Sequence, residues 1–305
     1  MTKTVKIAIT TFSLLSVAIL FSLGPAYSQG SLTGQQILEK IDARGNIGGN
    51  GSSVSFSSFD IVDKSGSKRQ SNFVFFGKGS PDAQVPNRVL IFFLAPPAET
   101  CGTIFLSIDK KIAGKKSDLY LYLPALGQAK QLVTSSDRKG SFAGSNLSFD
   151  QIGRSQLHTD FDAQLVGEET LKGITINGAK QDRVAYVLQL TANKTNNPDE
   201  SFPQRKIWVD KQEFITLKSE DTNTVGKLQN MTTLDNLTTF KGRLETNLIK
   251  VTNVLDNSST TVNISDREDI GDLADTLFDS SNLSKFEPKQ FNDKLKVKVP
   301  DPTCK

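Results

Sequence analysis

From Val54 to Ser265 the chain is a succession of short apolar or alternating segments, each closed by a Gly, Pro, Asn or Asp turn signal. That pattern leaves little besides an antiparallel β fold. Val54, Phe56, Phe59 and Ile61 alternate with Ser and Asp, with one slip. Asp63–Gly66 is a turn, and Arg69–Phe76 returns as the second arm of a hairpin. Val89–Leu94 is apolar throughout, bounded by Pro86 and Pro96-Pro97. Thr103–Ile108 follows, then Leu119–Leu123, stopped by Pro124. The second half repeats the rhythm at Asp160–Val166, Ala185–Ala192, Arg205–Val209, Ile215–Asp221, Leu228–Asp235, Asn247–Asn253 and Thr260–Ser265.

Helical spacing is scarce. Ile37, Leu38 and Ile41 share one face of a predicted helix over Thr33–Arg44, which Gly45 ends. Gln151–Arg154 and Asp269–Phe278 also read as helical, and the Pro-containing tail from Lys285 reads as extended. With so few helices, the sheet has to curl on itself to cover its apolar face. The Val89–Leu94 run is apolar on both faces, so its second face either meets a helix or lines a cavity. Nineteen Phe against four Tyr and one Trp give the strands a strongly apolar character. Curled sheets with such interiors hold apolar ligands or pack as ordinary cores, and composition leaves both open.

The N-terminus carries an address. Lys3 and Lys6 precede an apolar run from Ile7 to Leu23, broken by Gly24-Pro25 and followed by Ala26-Tyr27-Ser28. Charged start, short apolar core and small-x-small site form a secretory signal, with cleavage expected before Gln29. An uncleaved anchor is the alternative, and the run is short for the ~30 Å hydrocarbon core. The expected organisation is therefore residues 1–28 as signal and 29–305 as one domain, in the periplasm. No Cys stands near the cleavage site to receive a lipid. Cys101 and Cys304 either form a disulfide that pins the tail or remain two thiols, and an oxidising compartment favours the bond.

Charge and side-chain inventory exclude several functions. There are 36 basic and 33 acidic residues, two of the basic ones in the leader, so neither nucleic acid nor an anionic membrane is an electrostatic partner. His158 is the only histidine, and it falls in a polar segment where a solvated role is expected rather than catalysis. One His and two distant Cys do not supply a zinc site. Glu168-Glu169 and Glu220-Asp221 are adjacent in strands and so point to opposite faces. No Gly-rich phosphate loop precedes a helix.

Two stretches go further. Asp118–Ile152 reads DLYLYLPALGQAKQLVTSSDRKGSFAGSNLSFDQI, and Arg205–Leu217 reads RKIWVDKQEFITL. The first resembles the LolA-like family of periplasmic outer-membrane lipoprotein-sorting proteins through Tyr120–Pro124, Leu126, Gly140–Phe142, Gly144, Ser145, Phe149 and Asp150. The second is similar to the same family's strand-turn-strand through Trp208, Val209, Asp210 and Lys211. Asp275–Leu283 (DTLFDSSNL) is similar to its closing segment. Leu119 stands where the family often has Trp, and Thr216 where it has Pro.

The resemblance implies a mainly β fold with a few helices: a single antiparallel sheet curled into an unclosed barrel and capped by helices. It implies a carrier, not an enzyme, with no cofactor and no metal, that holds lipid or lipoprotein acyl chains and moves them toward the outer membrane as a monomer. An inner-membrane transporter of the resistance-nodulation-division type is the implied partner. The alternative is a non-carrying accessory module docked on such a transporter. The cavity candidates are Phe73, Phe75, Val89, Ile91, Phe93, Phe105, Leu121, Leu123 and Phe142. Gly140 and Gly144 flank Phe142, a spacing that predicts a turn with positive φ. Phe142 itself either gates the cavity or plugs one end of the barrel.

Overall fold

The computed structural model describes residues 32–45, 51–80, 85–95, 100–110, 112, 114–154 and 156–302. The expected signal at residues 1–28 lies outside them. Thirteen strands form one sheet. β1 (Gly51–Val62), β2 (Lys68–Gly79), β3 (Arg88–Ala95), β4 (Ile104–Ile108), β5 (Asp118–Leu123) and β6 (Gln128–Gln131) pair in sequence order. So do β7 (Phe161–Ile176), β8 (Ala179–Ala192), β9 (Gln204–Asp210), β10 (Thr216–Thr222), β11 (Leu228–Phe240), β12 (Arg243–Asn253) and β13 (Ser259–Asp269). β13 then pairs with β1 and joins the two meanders. Every ladder is antiparallel except a single parallel bridge, Leu237 to Ile176, which ties the end of β7 to β11 and makes the sheet mixed.

The ring is not closed. Among the described residues β6 pairs only with β5, and the gap between β6 and β7 is crossed by the connection that carries α2 (Ser135–Lys139), α3 (Phe149–Gly153) and α4 (Leu157–Asp160). α1 (Gly34–Arg44) begins at Thr33, whose side chain accepts from the Gln36 amide in a capping box. It lies against β7, and a side chain at Gly34 would meet the Ala163 carbonyl at 2.5 Å. Gln35 completes that contact: its amide oxygen accepts from the Ala163 N–H. α1 therefore satisfies backbone groups on an edge that would otherwise invite pairing.

Strand alternation divides the apolar residues between two faces. On the outer face Val54, Val74, Phe76, Leu90, Phe92, Ile104 and Leu106 form one core with the C-terminal segment, through Ile270, Leu273, Phe278, Leu283, Phe286, Phe291, Leu295 and Val299. On the inner face Phe59, Ile61, Phe73, Phe75, Ile91, Phe93, Phe105 and Leu119 form a second core with Phe142. The Val89–Leu94 run is apolar throughout because both its faces are covered.

Several expectations are corrected here. Asp269–Phe278 is not an α-helix: β13 ends at Asp269, and only a 3-10 turn, Asp275–Phe278, follows. The tail is not extended, since 3-10 segments Ser280–Lys285 and Pro288–Lys294 fold it over the outer face. Its apolar residues are spaced for that sheet rather than for a helix of their own. Gly140 has φ −55° and needs no glycine freedom. Gly144 does take a positive φ (69°), and so does Ala143 (49°). His158 is not a solvated loop residue but sits in α4, bonded to Asp42.

Candidate functional site

A cavity of about 390 Å³ opens on the inner face. That is within the range of sites that hold small apolar ligands. Its walls come from β1, β2 and β9 to β13, and α1, α3 and α4 border it. The apolar lining includes Phe59, Phe75, Ile152, Ile207, Ile249, Val262 and Ile264, interspersed with Ser55, Ser57, Thr232 and Thr246.

The nine sequence candidates are placed unequally around this cavity. All eight that lie on strands share the inward parity of β2 to β5, as the cross-strand pairs Phe73–Phe93, Phe75–Ile91, Ile91–Phe105 and Phe105–Leu121 show. Phe75 lines the cavity. Phe73, Ile91, Phe93, Phe105 and Phe142 are buried together, with Val89 and Leu121 packed against them. Leu123, at the end of β5, is half-buried and belongs to neither core.

Phe142 sits at the centre of the inner core. Its ring is fully buried and lies 5.2–5.8 Å from those of Phe59, Phe73, Phe93, Phe105 and Phe149. The loop that delivers it is locked at both ends. Arg69 donates to the Ala143 carbonyl at 2.8 Å and fills the space over Gly144, where its guanidinium would clash with any Cβ. The Phe142 amide donates to Leu147 O at 2.7 Å. Leu147, Gln151, Ile152 and Arg154, just beyond, reach the cavity.

The remaining motif residues brace the same loop. Arg138 donates to Asp150 at 2.9 Å and to the Ser117 carbonyl at 2.9 Å. Arg154 reaches Asp150 at 3.1 Å, Glu200 at 2.5 Å and Asp160 at 3.6 Å. Burial alone would raise the Asp150 carboxyl, but Arg154, Arg138 and Lys116 outweigh it and hold it below the usual range. Asp160 has no such balance: burial dominates and pushes it up to about 6. In the second motif Asp210, 1 % exposed, accepts from the Gln212 and Glu213 amides and pairs with Arg183 at 2.6 Å. It thereby fixes the turn that carries β9 into β10. Trp208 donates its indole N–H to Glu169 at 2.7 Å.

Sequence reasoning missed the far half of the cavity and its charges. Arg44, Arg205, Arg267, Asp221 and Glu245 all line it. Arg205 and Asp221 pair at 2.8 Å. Arg44 pairs with Glu213 at 3.4 Å and lies 4.0 Å from Glu245, whereas Arg267 donates only to neutral acceptors among the described residues. Among the described residues no helix is long and apolar enough to cross a membrane. Cys101 is buried, and Cys304 lies outside the described residues.

A family model described as an uncharacterized protein matches residues 86–285, well over half of the chain. Three solved structures show the same fold. A DUF1329 family protein from Desulfovibrio piger superposes with a TM-score of 0.70 at 21% identity, over 82% of this chain and 97% of that one. An outer membrane lipoprotein-sorting protein domain from Vibrio parahaemolyticus gives 0.69 at 21%, over 82% and 98%. The LolA superfamily protein NE2245 from Nitrosomonas europaea gives 0.59 at 19%, over 82% and 98%. The chain belongs to the matched family, and its fold is LolA-like. No curated protein matches the sequence. The LolA-like fold accounts for the motifs: their conspicuous residues hold the Phe142 loop and the β9–β10 turn, whereas the cavity wall is built from less conspicuous ones.

Proposed function

We propose that this chain is a periplasmic carrier that takes lipid or lipoprotein acyl chains into the inner-face cavity and moves them toward the outer membrane. The observation that carries this reading is the cavity itself, about 390 Å³ with Phe59, Phe75, Ile207, Ile249, Val262 and Ile264 on its walls. Each CH₂ kept from water there is worth about 0.8 kcal/mol, so the cavity offsets what a long acyl chain loses on leaving a membrane. The solved structure from Vibrio parahaemolyticus, described as a lipoprotein-sorting domain, supports the direction of transport. The leader supports export, with cleavage before Gln29 leaving a monomer free to diffuse. An inner-membrane transporter of the resistance-nodulation-division type would load it.

Nothing in this reading requires catalysis. His158 is committed to Asp42 and lies outside the cavity lining. Native mass spectrometry of protein taken from its own host without detergent tests the proposal. A population heavier than the processed chain by the mass of a lipid or acyl chain is expected. An empty protein that also fails to acquire fatty acid in vitro would overturn it.

A further inference from the structure

On the wall formed by α1, β12 and β13 the arginines are unequally partnered. Arg44, Arg243 and Arg267 surround Glu245, with Glu213 as the second acid. Arg243 holds Glu245 directly, its Nε 2.5 Å from Oε1. Arg44 donates through Nη1 to the Glu213 carbonyl at 3.0 Å and lies 3.4 Å from the Glu213 carboxylate. Its Nη2 is buried with no hydrogen-bond acceptor, 4.0 Å from Glu245. Arg267 donates only to neutral acceptors among the described residues, Asn247 Oδ1 and the Thr246 carbonyl, each at 3.1 Å.

Arg44 and Arg267 both line the apolar cavity. Burial holds both guanidiniums below the ordinary arginine range, and the neighbouring Arg243 adds to the effect, against the pull of Glu245. Arg267 donates to no carboxylate among the described residues, and Arg44, though paired with Glu213, keeps one buried amino group without an acceptor; donors left so beside an apolar space are costly. An oxyanion placed between Arg44 and Arg267 would supply the missing acceptors through charge-assisted hydrogen bonds.

We infer that the cavity selects an amphiphile whose acyl chain ends in an oxyanion, a carboxylate or a phosphate, seated by Arg44 and Arg267. The chain would run along Phe59, Phe75, Ile249 and Val262, away from that charged wall. This inference rests on the carrier reading and gives it a substrate class. It also explains why a cavity otherwise suited to any hydrocarbon contains arginines at all.

Displacement of a fluorescent fatty acid by ligands of equal chain length tests it. Palmitate and hexadecyl phosphate are compared with hexadecanol, on wild type and on Arg267→Gln and Arg267→Lys, with inorganic phosphate as a further competitor. The expected result is that both anionic ligands bind at least tenfold more tightly than hexadecanol. That preference should largely disappear in Arg267→Gln and be retained in part in Arg267→Lys. Equal binding of palmitate and hexadecanol by the wild type would overturn the headgroup inference and leave the carrier reading standing. Displacement by inorganic phosphate alone would make this a free-anion site and also overturn it. If the wild type binds none of the amphiphiles, both readings fail together. Should Arg267→Gln lack a cooperative melt, the comparison between palmitate and hexadecanol on the wild type and Arg267→Lys still decides the matter.

Discussion

His158 Nδ1 lies 2.6 Å from the Asp42 carboxylate, and that contact clasps α4 to α1 beside the cavity. Asp42 also accepts from the backbone amides of Leu157 and His158 at 3.0 and 2.8 Å, so it caps the start of α4 as well as pairing with its imidazole. Asp42 and Leu157 are themselves part of the cavity lining. The clasp therefore borders the ligand space rather than lying at a distance from it.

The clasp is pH-dependent. The hydrogen bond to Asp42 raises the His158 pKa above 6.5, against a smaller opposing effect of burial. Because the folded value exceeds the unfolded one, its contribution is full below about pH 6.5 and fades as pH rises through the folded pKa. His158→Gln should lose that pH-dependent part while wild type shows it. The imidazole is partly exposed, so the difference in Tm between pH 6 and pH 8.5 should be small, no more than about 2 °C. Parallel thermal melts at the two pH values read it directly; identical shifts in both proteins would remove His158 from the clasp.

Asp160, two residues on, also costs stability as pH rises, over a lower interval. Burial raises it from 3.8 to about 6, Arg154 and Lys116 notwithstanding. A raised carboxyl holds its proton longer in the folded state, so its contribution falls as pH rises through the interval between those values. Wild type should thus lose roughly 1–2 kcal/mol relative to Asp160→Asn between pH 4.5 and 6.5. Urea unfolding at both pH values measures it. A gain for wild type over that interval would mean that the Arg154 pairing dominates instead.

Phe142 is the centre of the inner core, and removing its ring leaves a hole among Phe59, Phe73, Phe93, Phe105 and Phe149. Phe142→Ala should cost about 3–5 kcal/mol in chemical unfolding. Loss of ligand uptake at full stability would instead mark the ring as a gate, contrary to its packing at the centre of the core.

Much of this architecture is legible in the sequence, and the limits have physical causes. Strand alternation marks β1 to β5 well because Phe, Val and Ile fill both faces of β2 and β3. The helix at Ile37, Leu38 and Ile41 has its cap and its glycine stop in view. The C-terminal tail does not read as folded, because 3-10 turns carry no 3.6-residue period and Phe286 and Phe291 take their partners, Phe76 and Phe92, from distant strands. The cavity is the harder case. Phenylalanine density points to the most apolar strands, but density of that kind fills space, and those strands are where Phe142 packs. The open part is lined by Ser55, Ser57, Thr232 and Thr246 between aliphatic residues, a pattern that looks like a solvent face until the sheet curls. A bulge between Val54 and Phe56 in the β1–β13 ladder further hides which residues point inward.

The two cysteines give a separate test. Cys101 is buried beside Leu94, its Sγ 3.2 Å from that residue's carbonyl oxygen. We propose that it bonds to Cys304, which would pin the tail across β3. Protein denatured without reductant should take up no thiol reagent, and should take up two equivalents after reduction. Reduction should also lower Tm, since so long a closed loop contributes on the order of 4 kcal/mol. Two labelled thiols before reduction would contradict the bond.

The central claim is that the inner-face cavity holds an acyl chain, and titration of the protein with a fluorescent fatty acid, on wild type and Ile249→Trp, tests it most directly. Ile249 lines the cavity and is partly buried, so a larger ring there occupies ligand space without emptying the core. Saturable uptake by wild type and at least a tenfold weaker response from a folded Ile249→Trp are the predicted results. Uptake unchanged by the filled cavity, or absent from the wild type, would contradict the account.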